Sequence, residues 1–466
     1  MKNFRFKSVT GLFFALFFIL NIYVIIAGII ATNHLLIVCG ILLSVFQFYM
    51  HEQFRKKSGI LKNYPYRVML KNFLGFMPPK LQGVFFPRDT SKNLLNQKQR
   101  EIVTLRSRNQ LTEIIQNNLL CSSDPGFEYL QVNNSFINLQ SEDFRVEIGS
   151  GQCRQPYSLS ILNFGRLNQK QLSKKYVHAL SQGANIRNCA VNTGEDGLSS
   201  HLIRGGSDLV WYIRHDDCSL RNNDRSLNET LIRTIALKPY VKMIEVKFLL
   251  EDLPVTKRGL TAFTIFSFVK SLRALSQGKP IGIHLQNPGK NILSFLGTGM
   301  ITTGVHLDFI TIEGLSSGIT MLQNTGIFQQ AFFESIATAR KMVKHFCLST
   351  KIVAAGVIVT EYDLLRAIAL GADACFNASD TLMATGSPTD WLKTRQDVQS
   401  TRIANFHRNT LAAARNLMEL CWYEKLSEVN PADFFRKING LETKTLEELI
   451  FQTDSAVPHP LYVNLN

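Results

Sequence analysis

The sequence has no paired-cysteine motif. Its eight Cys stand singly, at Cys39, Cys121, Cys153, Cys189, Cys218, Cys347, Cys375 and Cys421. Without a CxxC, neither a zinc ribbon nor a disulfide framework is indicated, and lone thiols in a reducing compartment are the expected state. No G-x-G-x-x-G follows an apolar run, which argues against a dinucleotide-binding Rossmann fold. Acidic residues are also scarce. Asp plus Glu number 36 against 51 Lys plus Arg, a net charge of +15. Such an excess favours anionic partners, either nucleic acid or a lipid surface.

The N-terminus selects the lipid surface over nucleic acid. Val9 to Ala31 contains no charged residue, Thr32 to His34 interrupts it, and Leu35 to Met50 is apolar again. A bilayer span needs roughly 20 apolar residues, so the pair predicts a transmembrane helical hairpin. Lys2, Arg5 and Lys7 precede it and Arg55 to Lys57 follow, while the connecting loop has no Lys or Arg. The positive-inside bias then places both termini and everything after the hairpin in the cytoplasm. The expected protein is integral to the membrane with two transmembrane helices.

The remaining chain divides by pattern. Residues 1–57 are the hairpin with its basic flanks, 58–142 a pre-barrel segment, 143–404 a barrel, and 405–466 C-terminal helices and a tail. In the pre-barrel segment, Phe85 to Pro87 reads as extended, and Asn96 to Asn109 as a polar helix with a solvated face. Asp124-Pro125-Gly126 marks a turn.

From Asp143 on, short apolar runs alternate with helical patterns. Strands are predicted at Asn188–Asn192, Met243–Phe248, Ile281–Leu285, Phe309–Glu313, Lys351–Ala355 and Ala374–Asn377. Helices are predicted at Gln171–Gln182, Ala262–Gln277, Phe332–Phe346 and Glu361–Leu370. Apolar runs between helices suit parallel strands buried on both faces, and their repetition predicts an α/β fold, a TIM (β/α)8 barrel. Beyond it, Thr410 to Leu420 reads as a helix, Ala432 to Ile438 as a second, and Gln452 to Asn466 as an extended tail.

Several stretches together resemble one family. They are Gln155 to Ser173 (QPYSLSILNFGRLNQKQLS), Asn192 to Ser199 (NTGEDGLS), Val241 to Val246 (VKMIEV), Gly278 to Gly282 (GKPIG), Tyr362 to Cys375 and Asn405 to Leu411 (NFHRNTL). In order and spacing they resemble the FMN-binding synthase domain of glutamate synthase. Gln99 to Asn109 and Pro125 to Leu130 (PGFEYL) resemble the pre-barrel region of its stand-alone, membrane-anchored relatives. The resemblance implies a TIM barrel carrying FMN and a 3Fe–4S cluster, making glutamate from 2-oxoglutarate and ammonia. It also implies roles for particular residues. Glu195 and His284 fall on catalytic positions, and Gly356, Asn377, Ala378 and Ser379 on the cofactor-phosphate positions.

The departures from that family fall on its chemistry. The loop that wraps the flavin, I-S-A-M-S-F-G in the family, reads FGRLNQK over Phe164 to Lys170. The family's strand Lys becomes His284, which carries charge only when protonated. D-G-A-E-G-G-T-G becomes Glu313 to Thr320, EGLSSGIT, with the acidic residue replaced by Ser316. At the phosphate cup an Arg becomes Ser379 and a Gly becomes Asp380, whose charge repels a phosphate. Ser387 to Ala404 contains no Cys, so no 3Fe–4S cluster and no metal are expected. A segment over the active site is shortened between Phe248 and Ala262. No amidotransferase or nicotinamide-binding domain is recognised in the sequence. The sequence thus favours a degenerate domain without cofactor, a non-catalytic scaffold or regulatory module with a partner not yet named. The alternatives are an active FMN-dependent glutamate synthase-type oxidoreductase, or a barrel reused for another ligand or a simpler FMN reaction. His284 also has a plain reading as a satisfied structural histidine, Glu195 as a helix-start cap, and Asn405 to Asn409 as a brace.

Overall fold

A computed structural model describes residues 21–44 (without 33 and 36), 95–110 (without 96), 126–133, 137, 144–149, 151–166, 169, 172–248 (without 223 and 225), 261–314, 326–377, 396–439 and 442–451. The chain divides into two compact units, Met1–Thr90 and Ser91–Asn466.

The first unit corrects the prediction of a membrane hairpin. Its described residues form helical segments at 21–30 and 37–44, separated by a turn at 31–32. Among the described residues no helix is long and apolar enough to cross a membrane. The expected pair of transmembrane helices, and the cytoplasmic placement derived from it, do not stand.

The second unit is built on a closed barrel of eight parallel strands. In chain order the elements before and within it are helix α1 (Gln97–Ser107), strands β1 (Glu128–Leu130), β2 (Arg145–Ile148), β3 (Tyr157–Ser160) and β4 (Leu162–Phe164), α2 (Lys174–Ile186), β5 (Val191–Asn192), α3 (Ser200–Gly205), β6 (Leu209–Arg214), α4 (Glu229–Ala236) and β7 (Val241–Lys247). Then come α5 (Ala262–Leu275), β8 (Ile281–Gln286), α6 (Lys290–Thr303), β9 (Phe309–Glu313), α7 (Gly326–His345), β10 (Lys351–Gly356), α8 (Glu361–Ala369), β11 (Ala374–Asn377) and α9 (Gln396–Cys421). Strands β4 to β11 close in sequence order, with β11 pairing back onto β4. A parallel barrel needs a crossover between neighbours, and the described helices between the strands supply it.

Local chemistry starts these helices where they start. Ser173, Ser199, Asn228, Thr261 and Thr360 each accept a backbone N–H at a helix N-terminus. Thr360 and Asp363 form a reciprocal capping box. The β2–β3 hairpin closes the barrel's N-terminal end. Ile148 and Leu159 pack there with Ala190, Val210, Met243, Phe309, Val353 and Ala374. Asp308 and Asp373, which had no partner legible in the sequence, pair near that end with Arg273 (2.7 Å) and with Arg340.

Two further expectations are corrected. Helix α1 is not merely a solvated polar helix. Val103 and Arg106 are fully buried, and Arg106 forms a buried ion pair with Glu361. Asn405 and Asn409 donate to the carbonyls of Ser107 and Arg106 at 3.3 and 2.8 Å, tying α9 to α1. Nor is 432–438 a helix. Pro431–Asp433 is one 3-10 turn, followed by strand β12 (Phe434–Lys437), which pairs with β1 and with β13 (Thr443–Thr445). Phe434 points into the core and Phe435 stacks on Tyr129 outside, the two-residue alternation of a strand. A final helix, α10 (Leu446–Phe451), follows. Helix α9 contains the predicted Thr410–Leu420 and runs unbroken through residue 404. The predicted extended segment at Phe85 and the tail from Gln452 lie outside the described residues.

Candidate functional site

Alternation along the strands assigns the barrel interior. Ala190, Val210, Met243, Phe309, Val353 and Ala374 form an apolar layer. Two residues on, the same faces carry Asn192, Tyr212, Glu245, Thr311, Ala355 and Phe376, with His284 two beyond Gly282. A polar layer therefore sits above an apolar one, towards the C-terminal ends of the strands, where barrels of this kind place their sites.

Glu245 is the deepest charge. It accepts from Asn192 Nδ2 at 2.7 Å and from the Thr311 hydroxyl. His284 lies above it, its Nδ1 3.6 Å from Glu245 Oε2 and its Nε2 3.1 Å from Glu313 Oε2. Burial alone would lower the His284 pKa, but the charge of Glu313 and the contacts with both carboxylates outweigh it and raise the pKa to about 9. His284 is therefore cationic at neutral pH. The two carboxylates lie below their ordinary range: burial would raise them, yet their contacts with His284 lower both.

Arg166, just after β4, crosses this layer. Its Nη2 donates to both oxygens of Glu313 at 3.1 and 3.0 Å. Its Nη1 donates to the Tyr212 hydroxyl at 3.1 Å and to Glu195 Oε1 at 3.2 Å. The guanidinium also lies 5.4 Å from the centre of the Tyr212 ring, whose edge meets His284. Opposite charges strengthen the Arg166–Glu313 contact, in which a single nitrogen, Nη2, is shared between the two carboxylate oxygens. Burial and the cation beside it act oppositely on the Tyr212 phenol, and burial wins, holding it neutral.

The structure brings two of the sequence-predicted residues, His284 and Glu195, into one cluster, and pairs two others, Gly356 and Asn377, on neighbouring strands. His284 and Glu195 both belong to this cluster through Glu313 and Arg166, though Glu195 sits at the rim with its side chain 53% exposed. The flanking Gly194 and Gly197 take positive φ, as turn residues do. Gly356 and Asn377 are paired at the ends of β10 and β11. A Cβ on Gly356 would meet the Phe332 ring at 3.3 Å. Asn377 is fully buried, and among the described residues neither of its amide atoms has a hydrogen-bond partner. Ala378 and Ser379 lie outside the described residues, as do Ser316 and Asp380. Arg166 and Glu313 fall in two stretches, Phe164 to Lys170 and Glu313 to Thr320, that the sequence marks as departures at the family's site, whereas Tyr212 and Glu245 are not among the predicted site residues. A single carboxylate inside the apolar run VKMIEVK was the available signal.

The comparisons with known proteins agree with the resemblance. A family model described as a conserved region in glutamate synthase matches residues 263–389. The glutamate synthase large subunit-like protein YerD of Bacillus subtilis (strain 168) is 25% identical over 329 residues, covering 63% of this chain and 61% of that protein. The match thus spans less than two thirds of that relative's length. Among solved structures, a double mutant of flavocytochrome b2 with pyruvate bound superposes with a TM-score of 0.46 at 12% identity, over 82% of this chain and 95% of that one. Mandelate oxidase with 3,3-difluoro-2-hydroxy-3-phenylpropionic acid gives a TM-score of 0.46 at 12% identity, over 76% and 97%. The chain is thus similar to glutamate synthase over residues 263–389, and more widely to the glutamate synthase large subunit-like relative.

Proposed function

We propose that this glutamate synthase-like barrel has lost its cofactor chemistry and serves as a non-catalytic scaffold or regulatory module. The carrying observation is Arg166. A flavin ring has to lie over the barrel mouth, and here a guanidinium reaches from the end of β4 to Glu313 at the end of β9. The described residues fit FMN poorly in two further respects. Glu245 and Glu313 already engage the one cation, His284, that stands in the place of the family's Lys. A Cβ-sized group at Gly356 would meet the apolar ring of Phe332. A 3Fe–4S cluster has no part in this reading, because Ser387 to Ala404 lacks the thiolates to hold one. Fold alone does not decide between activity and its loss, since one barrel hosts many chemistries.

One observation favours the alternative, an FMN-dependent glutamate synthase-type oxidoreductase. The Asn377 amide is buried and, among the described residues, unpaired beside the predicted phosphate positions, and unpaired buried amides cost free energy unless something meets them. The test is flavin content and turnover. The isolated chain is expected to be colourless and to form no glutamate from 2-oxoglutarate, ammonia, FMN and a reductant. A flavin-loaded protein that forms glutamate supports the alternative and ends the proposal. A partner protein retained by residues 91–466 and lost on barrel unfolding is the positive evidence for a scaffold.

A further inference from the structure

Two of the groups around Arg166 lie on barrel strands, whereas Arg166 and Glu195 come from the chain just after β4 and β5. Glu313 ends β9, Tyr212 lies in β6, and Glu195 follows β5. Together they offer two carboxylates, a phenol oxygen and an aromatic face to one planar cation. That combination suits guanidinium, which donates in its plane to carboxylates and lies against aromatic faces.

Charge balance points the same way. With Arg166 in place, Arg166 and His284 offset Glu245 and Glu313. With Arg166 withdrawn, two buried carboxylates face His284 alone, with Lys247 as the next nearby cation. Uncompensated buried charge is costly, so the emptied mouth demands a cation. The groups themselves are largely buried. The side chains of Arg166, Glu313 and His284 are 17%, 14% and 2% exposed, and only Glu195 opens to solvent.

We propose that the barrel mouth is a binding site for the guanidinium end of a small organic molecule, and that Arg166 occupies it as an internal ligand. The ligand displaces the Arg166 side chain, pairs with Glu313 against the Tyr212 face, and leaves its other end at Glu195. No bond forms or breaks. The inference rests on the reading that no flavin lies over the mouth.

The test removes the internal ligand and supplies an external one. Methylguanidinium chloride is titrated into wild type, Arg166→Ala and Arg166→Gln, with sodium chloride at matched ionic strength as control. The substituted proteins are expected to show a saturable rise in Tm, with a dissociation constant on the order of 1–10 mM. Wild type is expected to bind about tenfold more weakly or not at all, because Arg166 competes. Adding Glu313→Gln to Arg166→Ala is expected to abolish the rise. No saturable rise in either substituted protein overturns the proposal, as does an equal rise without Glu313. If neither variant folds, refolding is repeated with methylguanidinium or sodium chloride. Recovery with the former alone supports the site, and no recovery overturns it. FMN is titrated in parallel. Flavin binding by wild type ends the functional reading while leaving the cation result on the substituted proteins to stand separately.

Discussion

Arg166 and Glu313 are 147 positions apart in the chain, yet Arg166 Nη2 lies 3.1 and 3.0 Å from the two carboxylate oxygens of Glu313. One follows the first barrel strand and the other ends the sixth, so the pair spans the mouth. Glu313 in turn holds His284, which faces Glu245. A chain of alternating charge, cation to anion to cation to anion, thereby runs from the rim into the barrel.

This chain sets a pH dependence. The His284 pKa is raised from 6.5 to about 9. The stabilisation from its charge is therefore complete below about 6.5 and is lost as pH rises through 9. Glu245 and Glu313 are lowered, so their contribution is present above the ordinary carboxylate range and is lost as pH falls. Urea unfolding from pH 7 to 9.5 is expected to show a loss of stability in wild type that is smaller in His284→Gln. Glu313→Gln is expected to bring the His284 titration, followed by NMR, down towards 6.5. An unmoved titration contradicts the assignment.

On the acid side, His407 governs. It is buried, its Nε2 lies 2.9 Å from the Leu162 carbonyl, and burial lowers its pKa to about 4. The unfolded chain takes up this proton near pH 6.5 while the folded one does not. Folding is thus expected to lose stability, by up to about 3 kcal/mol, as pH falls from 6.5 to 4. Comparing wild type with His407→Gln in urea over that range isolates the effect.

The buried pair Arg106–Glu361 joins α1 to the start of α8, with both side chains fully buried. Arg106→Ala removes the paired cation from the buried Glu361 carboxylate, and a loss of about 3–5 kcal/mol is expected. Replacing both, Arg106→Met with Glu361→Leu, is expected to cost much less. Chemical denaturation of the two variants gives the comparison, and equal losses contradict it.

Packing inside the barrel yields a separate expectation. A Cβ at Gly282 would lie 2.4 Å from Cε2 of Phe309, its ladder neighbour on β9. Gly282→Ala is expected to cost about 1–3 kcal/mol, as overpacked cores do. Phe309→Leu in the same chain is expected to relieve part of that loss.

Much of the barrel is legible in the sequence because its later strands are uniform apolar runs. Met243–Phe248, Ile281–Leu285, Phe309–Glu313, Lys351–Ala355 and Ala374–Asn377 each fall on an observed strand. Strand Leu209–Arg214 is not among the predicted strands, because Trp211 and Tyr212 interrupt the aliphatic run that marks the others. The strand Phe434–Lys437 was taken for a helix because its partner Glu128–Leu130 lies some 300 residues away. The same distance problem hid the site. His284 and Glu195 could be found by position, but the contacts that change their chemistry come from Arg166 and Glu313, which only barrel closure brings near. His284 looked like a weak substitute for a fixed charge, and two carboxylates make it cationic instead.

The central claim, that the barrel mouth is filled by its own side chains and holds no flavin, is tested most directly by titrating FMN into the purified chain and following flavin fluorescence. The account predicts no quenching and no change in the flavin spectrum at micromolar concentrations. Stoichiometric quenching, or a yellow protein as purified, contradicts it.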